Sequence, residues 1–181
     1  MREGMSRSEE TILAWPALLT EDEDGRVQVR FPDFPEALTD AADDWEARAE
    51  AADCLAEAVA ARITDGEDIP APTPLRRGML SFHLPPVLTY KAALYSVMRR
   101  DGISKSDLAR RLGVDEKDVR RLVDPRYRGS KVERLDAALA ACGVVARITL
   151  DTGREPLLGS TTGSGSAARR QSAAALTRRA G

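Results

Sequence analysis

The sequence is poor in aromatic residues (4%), has two cysteines and one histidine in 181 residues, and contains no long apolar run. Nothing in it approaches the roughly 20 apolar residues that a membrane-spanning helix needs, and Met1 to Glu10 is too polar to form the core of a signal peptide. A cytoplasmic protein is expected. Cys54 and Cys142 lie far apart, each on the apolar face of an expected helix, so they read as buried free thiols and point to neither a disulfide nor a metal site. His83, the sole histidine, falls on the polar side of an expected strand with no nucleophile motif nearby, which makes it a surface residue rather than a catalytic one. With 43% hydrophobic residues, the chain has room for one medium domain or two small ones, and two small ones are expected.

The net charge of −2 hides an asymmetry along the chain. From Glu21 to Asp68 there are 16 acidic side chains against four basic ones. From Arg99 to Arg134 the ratio reverses, with 12 basic against seven acidic. The first half should repel nucleic acid and the second attract it.

The acidic half carries an apolar run, Ile12 to Leu19, whose Pro16 argues for an edge position or the start of a strand rather than a central one. After Asp24-Gly25, the period-two alternation of Arg26 to Phe31 predicts a second strand. Pro32-Asp33-Phe34-Pro35 should interrupt the ladder, with a short third strand around Ala37 to Thr39. A long helix capped by Asp43 or Asp44 would set Trp45, Ala49, Ala52, Leu55, Ala56, Val59 and Ile63 on one face and end at Asp65-Gly66. The proline-rich stretch Ile69 to Pro74 is an extended connector, and Met79 to Leu84 a fourth strand. The order βββαβ predicts a small α+β domain over residues 11–86, preceded by a flexible N-terminus, 1–10.

Beyond Pro85-Pro86, residues 87–151 read as four helical segments, Tyr90 to Arg100, Ser104 to Leu112, Asp115 to Val123 and Lys131 to Cys142, then a short C-terminal strand, Val144 to Leu150. Residues 152–181, rich in Ser, Thr, Ala, Gly and Arg, should form a disordered tail. The second and third helices have the pattern of a helix-turn-helix. Ser104 caps the first, small Ala109 admits close approach, Gly113 supplies positive φ at the turn, Val114 plugs the gap and Asp115 caps the second. Val119 and Leu122 complete a core with Leu108 and Leu112. Glu116, Lys117, Arg120 and Arg121 then face outward at the start of the second helix, where base edges in a major groove would be read. Lys105, Arg126, Arg128 and Lys131 are placed for phosphate. The alternative is a helical bundle whose arginines form only a solvated face. One such module reads few base pairs, so a homodimer on a palindromic operator is expected, with the strand 144–150 as a pairing edge.

Residues 12 to 150 resemble the HicB antitoxin family, in its variant with a C-terminal helix-turn-helix of the Xre/Cro type. The resemblance rests on Trp15-Pro16-Ala17, Asp24-Gly25, Phe31-Pro32-Asp33-Phe34-Pro35-Glu36-Ala37, the alanine-rich helix from Trp45 to Leu55, and Ile69-Pro70-Ala71-Pro72. It implies a partial, inactive RNase H-like domain that masks a HicA-like messenger RNA ribonuclease, and a DNA-binding domain that represses the shared operon. The toxin-facing region it implies is the sheet with the acidic loops of Asp22, Glu23, Asp24 and Asp33, although these acids could equally be a soluble face. An RNase H site needs carboxylates clustered to hold two divalent ions, and the acids here lie mostly in turns or on an exposed helix face. A non-enzyme without cofactor is expected, either an antitoxin or a stand-alone regulator; a residual nuclease ranks last.

Overall fold

In a computed structural model, which describes residues 11–148, the alternating segment becomes β2 (Val27–Phe31), with Val27, Val29 and Phe31 buried and Arg30 exposed. It lies between β1 (Ala14–Glu21) and β3 (Phe34–Ala41), and β4 (Met79–His83) joins the far side of β1. The result is an antiparallel sheet of order β3-β2-β1-β4. The β1–β2 turn is closed by Asp22, whose Oδ1 accepts the amides of Asp24 and Arg26 at 3.0 and 2.9 Å.

Two proline expectations change with this topology. β1 is a central strand, yet β2 pairs with it only from Leu18 onward, so Pro16 borders Ser81 of β4 alone and the missing N–H breaks no β2 pairing. Pro32-Asp33 does not end the ladder; it forms the two-residue turn of a hairpin in which Phe31 faces Phe34. β3 is therefore longer than the expected Ala37–Thr39, and Pro35 is tolerated because β3 is an edge strand with a register shift beside it.

α1 (Asp44–Asp65) covers one sheet face. Asp43 caps it by accepting the Glu46 amide at 2.8 Å, while the Glu46 carboxylate accepts the Ala42 amide at 2.9 Å. Of the expected stripe, Leu55, Val59 and Ile63 are buried and Ala52 and Ala56 pack half-buried on the core, but the row continues through Ala47, Ala51 and Ala58, while Trp45 is 80% exposed and Ala49 is exposed too. Small alanines let the helix sit close to the sheet, which supplies the bulk through Trp15, Phe34, Phe31 and Phe82. Trp15 meets Phe34 edge-on at 5.6 Å, and Phe31 meets Phe82 at 5.5 Å. Gly66 ends α1 in the left-handed region (φ 75°), and the connector is then tied down at two points. Trp15 Nε1 donates to the Pro70 carbonyl at 3.0 Å, and Asp33 accepts from the Thr73 amide at 3.0 Å.

Four helices follow: α2 (Pro86–Arg100), α3 (Lys105–Leu112), α4 (Glu116–Val123) and α5 (Val132–Ala141). α2 starts four residues before the expected Tyr90 because Pro86 suits the first helical position, where an N–H would be unsatisfied anyway. Its residues divide between two cores. Ala92, with Leu88 and Tyr95, packs on the sheet core, whereas Leu94 and Met98 join Ile103, Leu108, Ala109, Val119, Leu122, Leu135 and Leu139 in a second. The described residues up to Ala146 form one compact unit. Tyr95 and Arg99 also reach the end of α1, the tyrosine hydroxyl donating to Glu67 O and Arg99 to Gly66 O, each at 2.7 Å.

Over residues 144–148 the expected strand 144–150 is not formed, and these residues pair with no strand among the described residues; Val145 is 80% exposed. A strand is held by its neighbour's hydrogen bonds, and alternation alone does not supply one. The remainder of that segment, residues 1–10, expected to be flexible, and residues 152–181, expected to be a disordered tail, lie outside the described residues. Among the described residues no helix is long and apolar enough to cross a membrane.

Candidate nucleic-acid interface

The start of α3 and the turn between α3 and α4 are set by local residues. Ser104 and Asp107 form a capping box at the start of α3, the Ser104 hydroxyl accepting the Asp107 amide at 3.0 Å and the Asp107 carboxylate accepting the Ser104 amide at 3.2 Å. Gly113 ends α3 with φ 66°, which a side chain would make costly, and the Val114 amide returns to Ala109 O at 3.1 Å. Asp115 takes the N-cap position of α4, but its side chain makes no capping bond, so the second cap is positional only. Leu108, Val119 and Leu122 are buried beneath, and Leu112 is half-buried beside them.

Hydrogen bonds from Ser104 and from Arg110 hold the Asp107 carboxyl below its ordinary value of 3.8. A depressed carboxyl stabilises the fold above that value, and the contribution is lost as pH falls through the lower folded one. Ser104→Ala is therefore expected to cost about 1 kcal/mol at neutral pH. As pH falls below 3.8 toward the lower folded value, where Asp107 takes up a proton and its half of the capping box weakens, the difference should narrow. Urea unfolding at pH 7 and pH 3 checks both; an undiminished gap at pH 3 would show that Asp107 has no part in it.

Of the four expected base readers, Lys117, Arg120 and Arg121 are exposed on α4 and Glu116 is half-buried. They are not equally free. Glu116 holds Arg120 at 2.6 Å, and Arg121 lies 3.8 Å from Asp118 and over the Tyr127 ring at 5.9 Å. Among the expected phosphate contacts, Arg126 pairs with Glu57 of α1 at 3.5 Å, whereas Lys105, Arg128 and Lys131 are exposed, with no ion pair among the described residues. Their common ground is the α3–α4 unit and the loop that leaves it.

That loop depends on a residue the sequence reading missed. Lys91 of α2 is fully buried, and its Nζ donates to the carbonyls of Asp124 and Tyr127, the latter at 2.7 Å. Burial pushes its pKa down, against the opposing charge of Asp124. The available signal was its spacing: Lys91 lies three and seven residues before Leu94 and Met98, on an otherwise apolar face.

The acids expected to face a toxin are also unequal. Asp22 closes its turn and Asp33 ties down the connector, while Glu23 and Asp24 are exposed. His83 is exposed on β4. Cys54 and Cys142 are half-buried free thiols, each raised in pKa by desolvation. Among the described residues no group of three or more His, Cys, Asp or Glu side chains could hold a metal ion.

Residues 14–93 match a family model described as the HicB_like antitoxin of bacterial toxin-antitoxin systems. Antitoxin HicB of Escherichia coli K12 is 30% identical over 131 residues, 72% of this chain and 94% of that protein. Antitoxin HicB 2 of Photorhabdus laumondii is 33% identical over 131 residues, 72% of this chain and 91% of its own length. Antitoxin HicB of Pseudomonas fluorescens Pf0-1 is 31% identical over 128 residues, 70% and 87% of the two chains.

Proposed function

Because the chain belongs to the HicB antitoxin family of bacterial toxin-antitoxin systems, we propose that it masks a HicA-like messenger RNA ribonuclease with residues 11–86 and represses its own operon through a helix-turn-helix made by α3 and α4. The observation that carries the second half is the α3–Gly113–α4 turn, with Lys117, Arg120 and Arg121 exposed on α4, Lys105 exposed at the start of α3, and Arg128 and Lys131 exposed after α4. α4 acts as the recognition helix and the loop after it meets phosphate. The alignment to the curated relatives is longer than the stretch 14–93, which favours their sharing part of the helical region as well.

For the first half, the element order βββαβ is what a partial RNase H-like domain would require, and its acidity suits a basic, RNA-binding partner. Asp22 and Asp33 have work inside the fold, so the acids left to face a toxin are Glu23 and Asp24. The role is regulatory and non-enzymatic, carried out in the cytoplasm. Two copies bind a palindromic operator, since one recognition helix covers too few base pairs for useful affinity.

Expression with the small basic protein encoded beside it should give a stable complex and relieve that protein's toxicity. DNA from upstream of its own gene should be retarded at lower protein concentration than unrelated DNA of equal length. Absence of any complex with a neighbouring gene product would leave a stand-alone regulator, and equal retardation of both DNAs would remove operator recognition.

A further inference from the structure

The deepest charge in the second half of the molecule is Lys91, and nothing in the proposed function yet uses it. A lysine is almost never fully buried without partners, and its partners here are main-chain oxygens rather than a carboxylate. Asp124, the nearest acid, spends its side chain on the Arg126 amide at 2.9 Å and offers Lys91 only its carbonyl. That carbonyl stands at the C-terminal cap of α4, where the helix leaves acceptors unsatisfied and a cation is favoured. The second bond reaches three residues further, to Tyr127 O, so one ammonium group spans the exit of α4 and the turn after it. The Tyr127 ring then lies 5.7 Å from Lys91 Nζ and 5.9 Å from the Arg121 guanidinium.

We propose that Lys91 is the positioning residue of the phosphate-contacting loop: by gripping the carbonyls of Asp124 and Tyr127 it fixes the direction in which Arg126 and Arg128 leave the protein. Stability alone does not single out a lysine here, because burying its charge carries a desolvation penalty that its bonds must first offset. Geometry does: an apolar side chain would fill the space, leave the Tyr127 carbonyl without the lysine's bond and leave the Asp124 carbonyl only the Tyr127 amide at 3.3 Å, so that the turn could open toward water and take the loop with it. The proposal rests on the DNA-binding reading for its consequence and on the loop alone for its cause.

The test uses the full-length protein and three variants. Lys91→Met is expected to bind upstream DNA about tenfold more weakly and to lower the slope of log affinity against log salt by about 1 to 2, the count of loop arginines that lose their phosphates. Lys91→Gln, which keeps a donor, should fall between it and the wild type and guards against a failure of the methionine variant to fold. Arg128→Ala should lower the slope by about 1 in the wild type and by nothing further when combined with Lys91→Met, because the two act as one unit. Full additivity, or an unchanged slope in both Lys91 variants, would overturn the proposal. Brief trypsin digestion decides the cause without DNA. Cleavage after Arg126 and Arg128 should quicken in the variants while cleavage after Arg76 and Arg77 of the connector stays constant. An unchanged pattern refutes the grip, whereas quickened cleavage in a protein that retards no DNA would fault the DNA-binding reading alone.

Discussion

Trp15→Ala is expected to lower the unfolding free energy by about 3–5 kcal/mol, a large part of what a domain of this size possesses. Trp15 is wholly buried, edge-on to Phe34, and its indole N–H serves the Pro70 carbonyl at 3.0 Å. Alanine would leave a cavity against the small residues of α1 and an unpaired carbonyl in the connector, two losses that add. The connector should loosen first, since its anchors are Trp15 and Asp33. Trp45→Ala is the matched control: at 80% exposure it should shift stability by no more than about 0.5 kcal/mol. The chain has only these two tryptophans, so Trp45→Phe leaves Trp15 as the sole indole reporter, and its emission should move sharply to the red on unfolding. A urea midpoint for Trp15→Ala close to that of Trp45→Ala would show that the sheet core lies elsewhere.

Arg120→Ala is expected to weaken binding to upstream DNA by about 1–3 kcal/mol and to blur the preference at particular base pairs. Arg128→Ala should weaken every sequence alike and reduce the salt slope by about 1. The structure adds a third member to this series. Arg120 is held by Glu116 through two contacts of 2.6 and 3.1 Å, and that carboxylate must release it before it can reach a base. An exposed pair one helical turn apart is worth only about 0.3–0.5 kcal/mol, so the release is inexpensive, but the carboxylate itself repels phosphate. Glu116→Gln should therefore tighten binding to both DNAs, random DNA more than operator because a base-reading group is altered along with the charge, and so narrow the ratio between them. Titration of both DNAs at two salt concentrations separates the three variants. Equal losses on operator and random DNA for Arg120→Ala would refute its role in base reading.

Much of this was legible because each feature follows from a local rule. The alternation of Val27, Val29 and Phe31 marked a strand, Asp43 marked a helix start, and Ser104 and Gly113 marked the two ends of α3. What escaped depended on neighbours that no local pattern encodes. Alanines are small on every side, so the register of α1 against the sheet is decided by where Trp15 and Phe34 project, and Trp45 was placed inward on periodicity alone. Pro16 looked incompatible with a central strand because the sequence cannot say that β2 starts pairing two residues later. Alternation over 144–150 promised a strand, and among the described residues of the single chain nothing pairs with 144–148. Lys91 was passed over for the opposite reason: its type argues for the surface, and only the carbonyls 33 and 36 residues away make the interior acceptable.

The division of α2 between two cores bears on how such proteins can be recombined. A front half grafted from a relative with a different partner, joined at Pro85-Pro86, would bring a sheet core shaped for someone else's Leu88, Ala92 and Tyr95. Moving the junction to Asp101-Gly102 transfers the fault to Leu94 and Met98, which the second core must then accept. No cut on either side of the helix leaves both sets matched. A working chimera needs α2 composed residue by residue, the sheet-facing positions from one parent and the positions facing α3, α4 and α5 from the other.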